Sequence, residues 1–136
     1  MSEIKLKNPQ ELALMRQSGR LLAQVFAYLD LHIKAGLSTM QVNDLTERYI
    51  VDQLASRPAS KGQYGFKYVL NSSVNHVVCH GVPSETQMLK AGDIVNIDIT
   101  LEKNGFIADS SKMYLIGEVT PAARTLVDKT YEAMWE

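Results

Sequence analysis

Cysteine is nearly absent: one residue, Cys79, in a chain of 136. A single thiol cannot close an internal disulfide and is too few for a zinc-finger cluster, so a reducing, cytoplasmic setting is expected. Charge of one sign is also missing, with 14 basic and 15 acidic residues spread along the chain for a net charge of −1. No basic stripe offers itself to nucleic acid, and Lys5 and Lys7 read as a solvated tip. No apolar run approaches the ~18 residues a membrane helix needs, and Met1–Lys7 has no apolar signal-peptide core. Proline and glycine are too few for a collagen-like or low-complexity chain. A single domain over residues 1–136 is the expectation, with neither nucleic acid nor membrane as partner.

The first half reads as helical. Asn8-Pro9-Gln10-Glu11 is a start signal: Asn8 caps, Pro9 suits the first turn, and Glu11 reaches back. Leu12, Met15, Gly19, Leu22, Phe26, Leu29 and Ile33 then fall on one stripe, predicting a helix that runs to Gly36. Ser38-Thr39-Met40-Gln41 opens a second helix burying Val42, Leu45, Tyr49 and Leu54, with Arg57-Pro58 ending it. The polar segment from Ser60 to Gly65 is a loop. Strands are expected around Lys67–Asn71 and Asn75–His80.

The clearest strand follows. Ile94 to Leu101 alternates with period two, Val95, Ile97, Ile99 and Leu101 on one face, Ile94, Asn96, Asp98 and Thr100 on the other. Asn104-Gly105 marks a type I′ hairpin turn, and a return strand runs to about Ile116. Thr120-Pro121 caps a last helix to about Trp135. Helices, strands and helix in this order predict an α+β fold with an antiparallel sheet.

Asp98 stands mid-strand among Ile and Val, where losing its hydration is costly without a partner. A two-residue turn at Asn104-Gly105 sets Thr100 opposite Asp109 and Asp98 opposite Ser111. Asp98 and Asp109 then share a face as diagonal neighbours with Cβ atoms about 7–8 Å apart. Such a pair can share a proton, hold one hard cation, or bridge two cations ~3.5–4 Å apart. It can also simply bond to nearby Ser, Thr, Asn or Lys112. Cys79 and His80, if on a strand, point to opposite faces and form no nucleophile–base pair. Cys79 is expected in the core, His80 at a strand end beside a cleft, and His32 and His76 at the surface or at a cap.

Three segments carry a resemblance: Asn75 to Pro83, Leu89 to Asp98, and Asn104-Gly105-Phe106 with Asp109-Ser110-Ser111-Lys112-Met113. Together they resemble the type I methionine aminopeptidases over essentially the whole chain. The resemblance implies the pita-bread fold, two α+β halves about a pseudo-twofold with a dinuclear metal site between them. It also implies removal of the initiator methionine from nascent polypeptides, whose N-terminal peptide would be the partner. Asp98 would be a ligand of one metal ion, and Asp109 would bridge both. His80 would be catalytic, hydrogen-bonding the substrate near the scissile bond. The metals would be divalent: Mn, Fe, Co or Zn.

Two departures from the family pattern stand out. The loop that would line the methionine pocket reads Gly62 to Lys67, with Asn71 where a cysteine would stand. Phe66 keeps an aromatic wall, while Gln63 and Asn71 make this substrate-binding pocket more polar. The family's remaining ligands, one His and two Glu, belong to a C-terminal half beyond Glu136. The chain therefore reads as a truncated, N-terminal half with an incomplete site, in which metal is weakly held by a monomer. Its alternatives are an inactive half-fold that binds peptide or protein, and a homodimer that rebuilds the site.

Overall fold

The computed structural model describes residues 4–136; the first three residues of the expected 1–136 domain lie outside the described residues. Helix α1 spans Pro9–Asp30 and starts as the sequence predicts, with the Asn8 side chain and Glu11 bonded reciprocally at 2.9 and 2.8 Å. It ends six residues before Gly36. Gly36 is left-handed but donates to the Leu89 carbonyl, so it belongs to a loop crossing and not to the helix end. Leu22, Val25 and Leu29 are buried, whereas Leu12 and Met15 are exposed. The reason is reach. Ser18 donates to the Phe106 carbonyl at 2.8 Å, at the turn end of the hairpin, and the helical turns before it run past the sheet.

Helix α2, Thr39–Arg48, carries the expected capping box between Ser38 and Gln41. It continues as a π-helical turn over Tyr49–Gln53, closed by Leu54 N–H donating to the Tyr49 carbonyl. The extra residue rotates the face, so Ile50 is buried while Leu45, Tyr49 and Leu54 are half-buried. Tyr49 stacks on Tyr28 of α1, ring centroids 4.2 Å apart. Arg57–Pro58 does not end the helix; it forms the short strand β1.

The sheet is built on one long strand. Strand β3, Ile94–Lys103, pairs antiparallel with β4, Phe106–Leu115, along one edge. Its other edge is shared by β1 at Leu101–Glu102 and by β2, Leu70–Val74, at Val95–Ile99. Asn104 and Gly105 both have positive φ, the type I′ geometry. Val95, Ile97, Ile99 and Leu101 are fully buried beneath α1, each contributing about 1.5–3 kcal/mol of burial. Helix α3, Pro121–Ala133, is capped by Thr120 and buries none of its residues. Among the described residues no helix is long and apolar enough to cross a membrane.

Two expectations fail in one place. Asn75–His80 is not a strand, because Asn75 and His80 both take left-handed backbone and break the extended run. The Asn75 side chain instead ties the loop to Asp93 and to the Ile94 amide. Cys79, expected in the core, is exposed on that loop. The strand expected at Lys67–Asn71 lies three residues later, as β2. His32 caps as expected, its Nδ1 2.7 Å from the Tyr28 carbonyl, and His76 is exposed.

Candidate metal and peptide site

The hairpin turn dictates the central geometry. The register sets Thr100 opposite Asp109 and Asp98 opposite Ser111, as the turn arithmetic requires. Both carboxylates therefore project from the sheet face away from α1. Thr100 Oγ1 donates to Asp109 Oδ2 at 3.2 Å, and Asn96 Nδ2 to Ser111 Oγ at 3.3 Å. Asp98 is the perturbed member. Partial burial, then the charge and side chain of neighbouring Asp109, hold its carboxyl above the usual carboxylate range, and His80 pulls the other way.

His80 reaches this face by a route that periodicity does not show. Gly81 lies flat against β2: its amide donates to Ser73 Oγ at 3.1 Å and its carbonyl accepts from the Ser72 amide at 2.8 Å. A Cβ at Gly81 would stand 2.1 Å from the Ser72 carbonyl oxygen. No side chain fits there. The docked glycine and the left-handed His80 beside it together deliver the imidazole to the cavity.

That cavity, of about 610 Å³, is lined by Asp98, Asp109, His80, Phe66, Gln63 and Asn71, together with Ser60, Tyr64, Val82 and Thr100. The structure thus brings together all six residues singled out from the sequence. Ser60, Tyr64 and Val82 were not singled out. Ser60 and Val82 flank the loops that carry the others, and a reading extended by two or three residues on either side finds them. Asn71 pairs directly with Asp98 across β2 and β3, so the two share one row of the sheet.

The donor set suits a hard divalent cation: two carboxylates on rigid strands, one of them with its pKa raised by burial and by the charge of its neighbour, costs that a cation relieves. It is a partial set. Among the described residues, no group of three His, Cys, Asp or Glu side chains is placed to hold a metal.

Comparison with known proteins identifies the family and the fold. The sequence model of metallopeptidase family M24 matches residues 13–136. The chain is 38% identical over 132 residues to the methionine aminopeptidase of Escherichia coli K12, covering 97% of this chain and 50% of that protein. The crystal structure of methionine aminopeptidase from Rickettsia prowazekii superposes with a TM-score of 0.94 at 37% identity, covering 98% of this chain and 53% of that one. The enzyme of the same name from Thermotoga maritima gives 0.90 at 32% identity, covering 96% of this chain and 52% of that one. The chain spans about half the length of the curated relatives it matches. Its α+β architecture is that of one half of the pita-bread fold.

Proposed function

This chain belongs to metallopeptidase family M24, and from that premise we propose that its cleft is one half of a methionine aminopeptidase-type active site. The reaction is removal of the N-terminal residue of a nascent polypeptide in the cytoplasm. The observation that carries the reading is the convergence of Asp98, Asp109 and His80 on one cavity that Phe66, Gln63 and Asn71 also line.

Each residue has a physical task. Asp98 and Asp109 would hold divalent metal (Mn, Fe, Co or Zn), held weakly where two carboxylates and solvent are the whole donor set. Bound there, the metal supplies a water acidified toward neutral pH and a polarised carbonyl. Thr100 holds Asp109 by its Oδ2, which limits how that carboxylate can turn. His80 donates or accepts a hydrogen bond at the peptide unit being cleaved, from a position fixed by the Gly81 contact with β2. Phe66 is half-buried and forms the apolar wall of the pocket.

A homodimer is the second reading, favoured by the outer edge of β4, which among the described residues pairs only with β3. Antiparallel pairing of two such edges about Ser110 sets Asp109 opposite Ser111 and Ile107 opposite Met113, with no like charges opposed. It gathers two Asp98/Asp109 pairs near one axis. Pairing through this edge without metal would make the chain a binding module and not an enzyme.

Calorimetric titration of the 136-residue chain with Mn²⁺, run beside sedimentation equilibrium, tests these readings together. Binding is expected to weaken by roughly tenfold or more in Asp98→Ala and Asp109→Ala. Unchanged Mn²⁺ affinity in both variants overturns the metal site. A monomeric mass with and without metal overturns the dimer.

A further inference from the structure

Most carboxamides in this fold are engaged. Asn43 accepts from the Val69 amide, Asn75 bonds Asp93, Asn96 bonds Ser111, and Asn104 bonds Gln17. Two are different. Among the described residues neither Gln63 nor Asn71 hydrogen-bonds a protein group through its side chain, and both line the cavity that holds Asp98 and His80.

Their placement is not casual. Asn71 sits on β2 directly across from Asp98, which puts its Cβ about 4.5–5.5 Å from that of the carboxylate residue. It is half-buried, and a ligand seated over it would cover the rest of its amide. Gln63 stands on the turn Gln63–Gly65, entered through left-handed Gly62, at the cavity mouth. Ser60 adds a hydroxyl, and Phe66 faces them, braced edge-on by Tyr68 at 5.6 Å between centroids. The cavity beside the carboxylates is therefore lined by two aromatic rings, Phe66 and Tyr64, and by two unengaged amides.

A thioether is a poor occupant of such a pocket. Methionine would cover both amides and return at most a weak acceptor. Covering an amide without a partner costs on the order of 1–3 kcal/mol when burial is complete, and less in an open cleft. Glutamine has nearly the same length and volume, lays its methylenes on Phe66, and offers one acceptor and two donors. A site that hydrogen-bonds its ligand rejects the analogue lacking those groups more strongly than an apolar pocket rejects an added one.

We propose that the pocket formed by Gln63, Asn71 and Phe66 selects an amino-terminal residue with a hydrogen-bonding side chain of methionine's length, glutamine, over methionine. The proposal rests on the peptide-binding reading of the preceding subsection. It makes Asn71 and Gln63 the specificity-determining residues of the cleft.

Amide NMR titration of the 136-residue chain with Gln-Gly-Gly, Met-Gly-Gly and Nα-acetyl-Gln-Gly-Gly tests it without any turnover. Gln-Gly-Gly is expected to bind about tenfold tighter than Met-Gly-Gly, an advantage at the lower end because the cleft is open. Asn71→Leu is expected to reverse the order, and Gln63→Leu, on an exposed turn that does not threaten folding, to narrow it. Met-Gly-Gly binding as tightly as Gln-Gly-Gly overturns the selectivity and leaves the cleft as a peptide site. Failure of both free-amino peptides to bind, or equal binding of the acetylated one, overturns the peptide-binding reading itself and the selectivity with it.

Discussion

The β3–β4 hairpin has two faces made by one alternation, and they are held by different physics. On the inner face, Val95, Ile97, Ile99 and Leu101 are fully buried beneath α1 and shielded from water. On the outer face, Asn96 bonds Ser111 and Thr100 bonds Asp109, and Asp98 lies with Thr100 and Asp109 along a half-open cleft. The inner face fixes where the strands lie. The outer face uses that rigidity to hold two carboxylates close together, at a cost that burial and like charge impose on Asp98. Stability and site are thus separated by one residue along the chain.

The comparison is broken most directly by cutting into the inner face. Ile97→Ala should cost about 3 kcal/mol in urea unfolding, since it empties a fully buried site under α1. A loss below about 1 kcal/mol would mean that the core tolerates collapse there. Next in size is Gly81→Ala, where the added methyl meets the Ser72 carbonyl. The expected cost is about 2 kcal/mol, with loss of peptide binding as His80 moves. Unchanged stability and unchanged binding would show that the glycine does not position His80.

The smallest effect has the opposite sign. Asp98 has a raised carboxyl pKa in the fold, so its contribution is favourable below the ordinary carboxylate range and is lost as pH rises through the raised value. Without metal at pH 7, the folded chain therefore carries a burial cost and a repulsion from Asp109 that Asp98→Asn removes. A gain of at most about 0.5 kcal/mol is expected after solvent screening, shrinking to nothing below about pH 4. Urea unfolding at the two pH values checks it, and a variant less stable at pH 7 contradicts the account.

Much of this was legible in the residues. The capping boxes at Asn8 and Ser38 and the alternation of Ile94–Leu101 depend on interactions within a few positions. Asn104-Gly105 fixes register for the same reason, and with it the Asp98/Asp109 diagonal. Longer-range matters were not legible. Val77 and Val78 suggest a strand, but side-chain bonds from Asn75 to Asp93 and Ile94 hold that stretch as a loop. Helices α1 and α3 begin alike, with a side-chain cap and proline in the first turn, yet only α1 lies on the sheet. Amphipathic pattern says which face a helix would bury, and packing decides whether it does.

The sequence by itself determined the hairpin, its register and the pairing of two carboxylates, because strand period and turn type are local properties of the backbone. The family resemblance anticipated His80, Gln63 and Asn71 beside that pair, but only the tertiary structure supplies the contacts that bring them to one cavity. Their positions follow from Gly81 pressing on Ser72 and from β2 lying along β3. Those contacts join residues far apart in sequence, which no local pattern specifies.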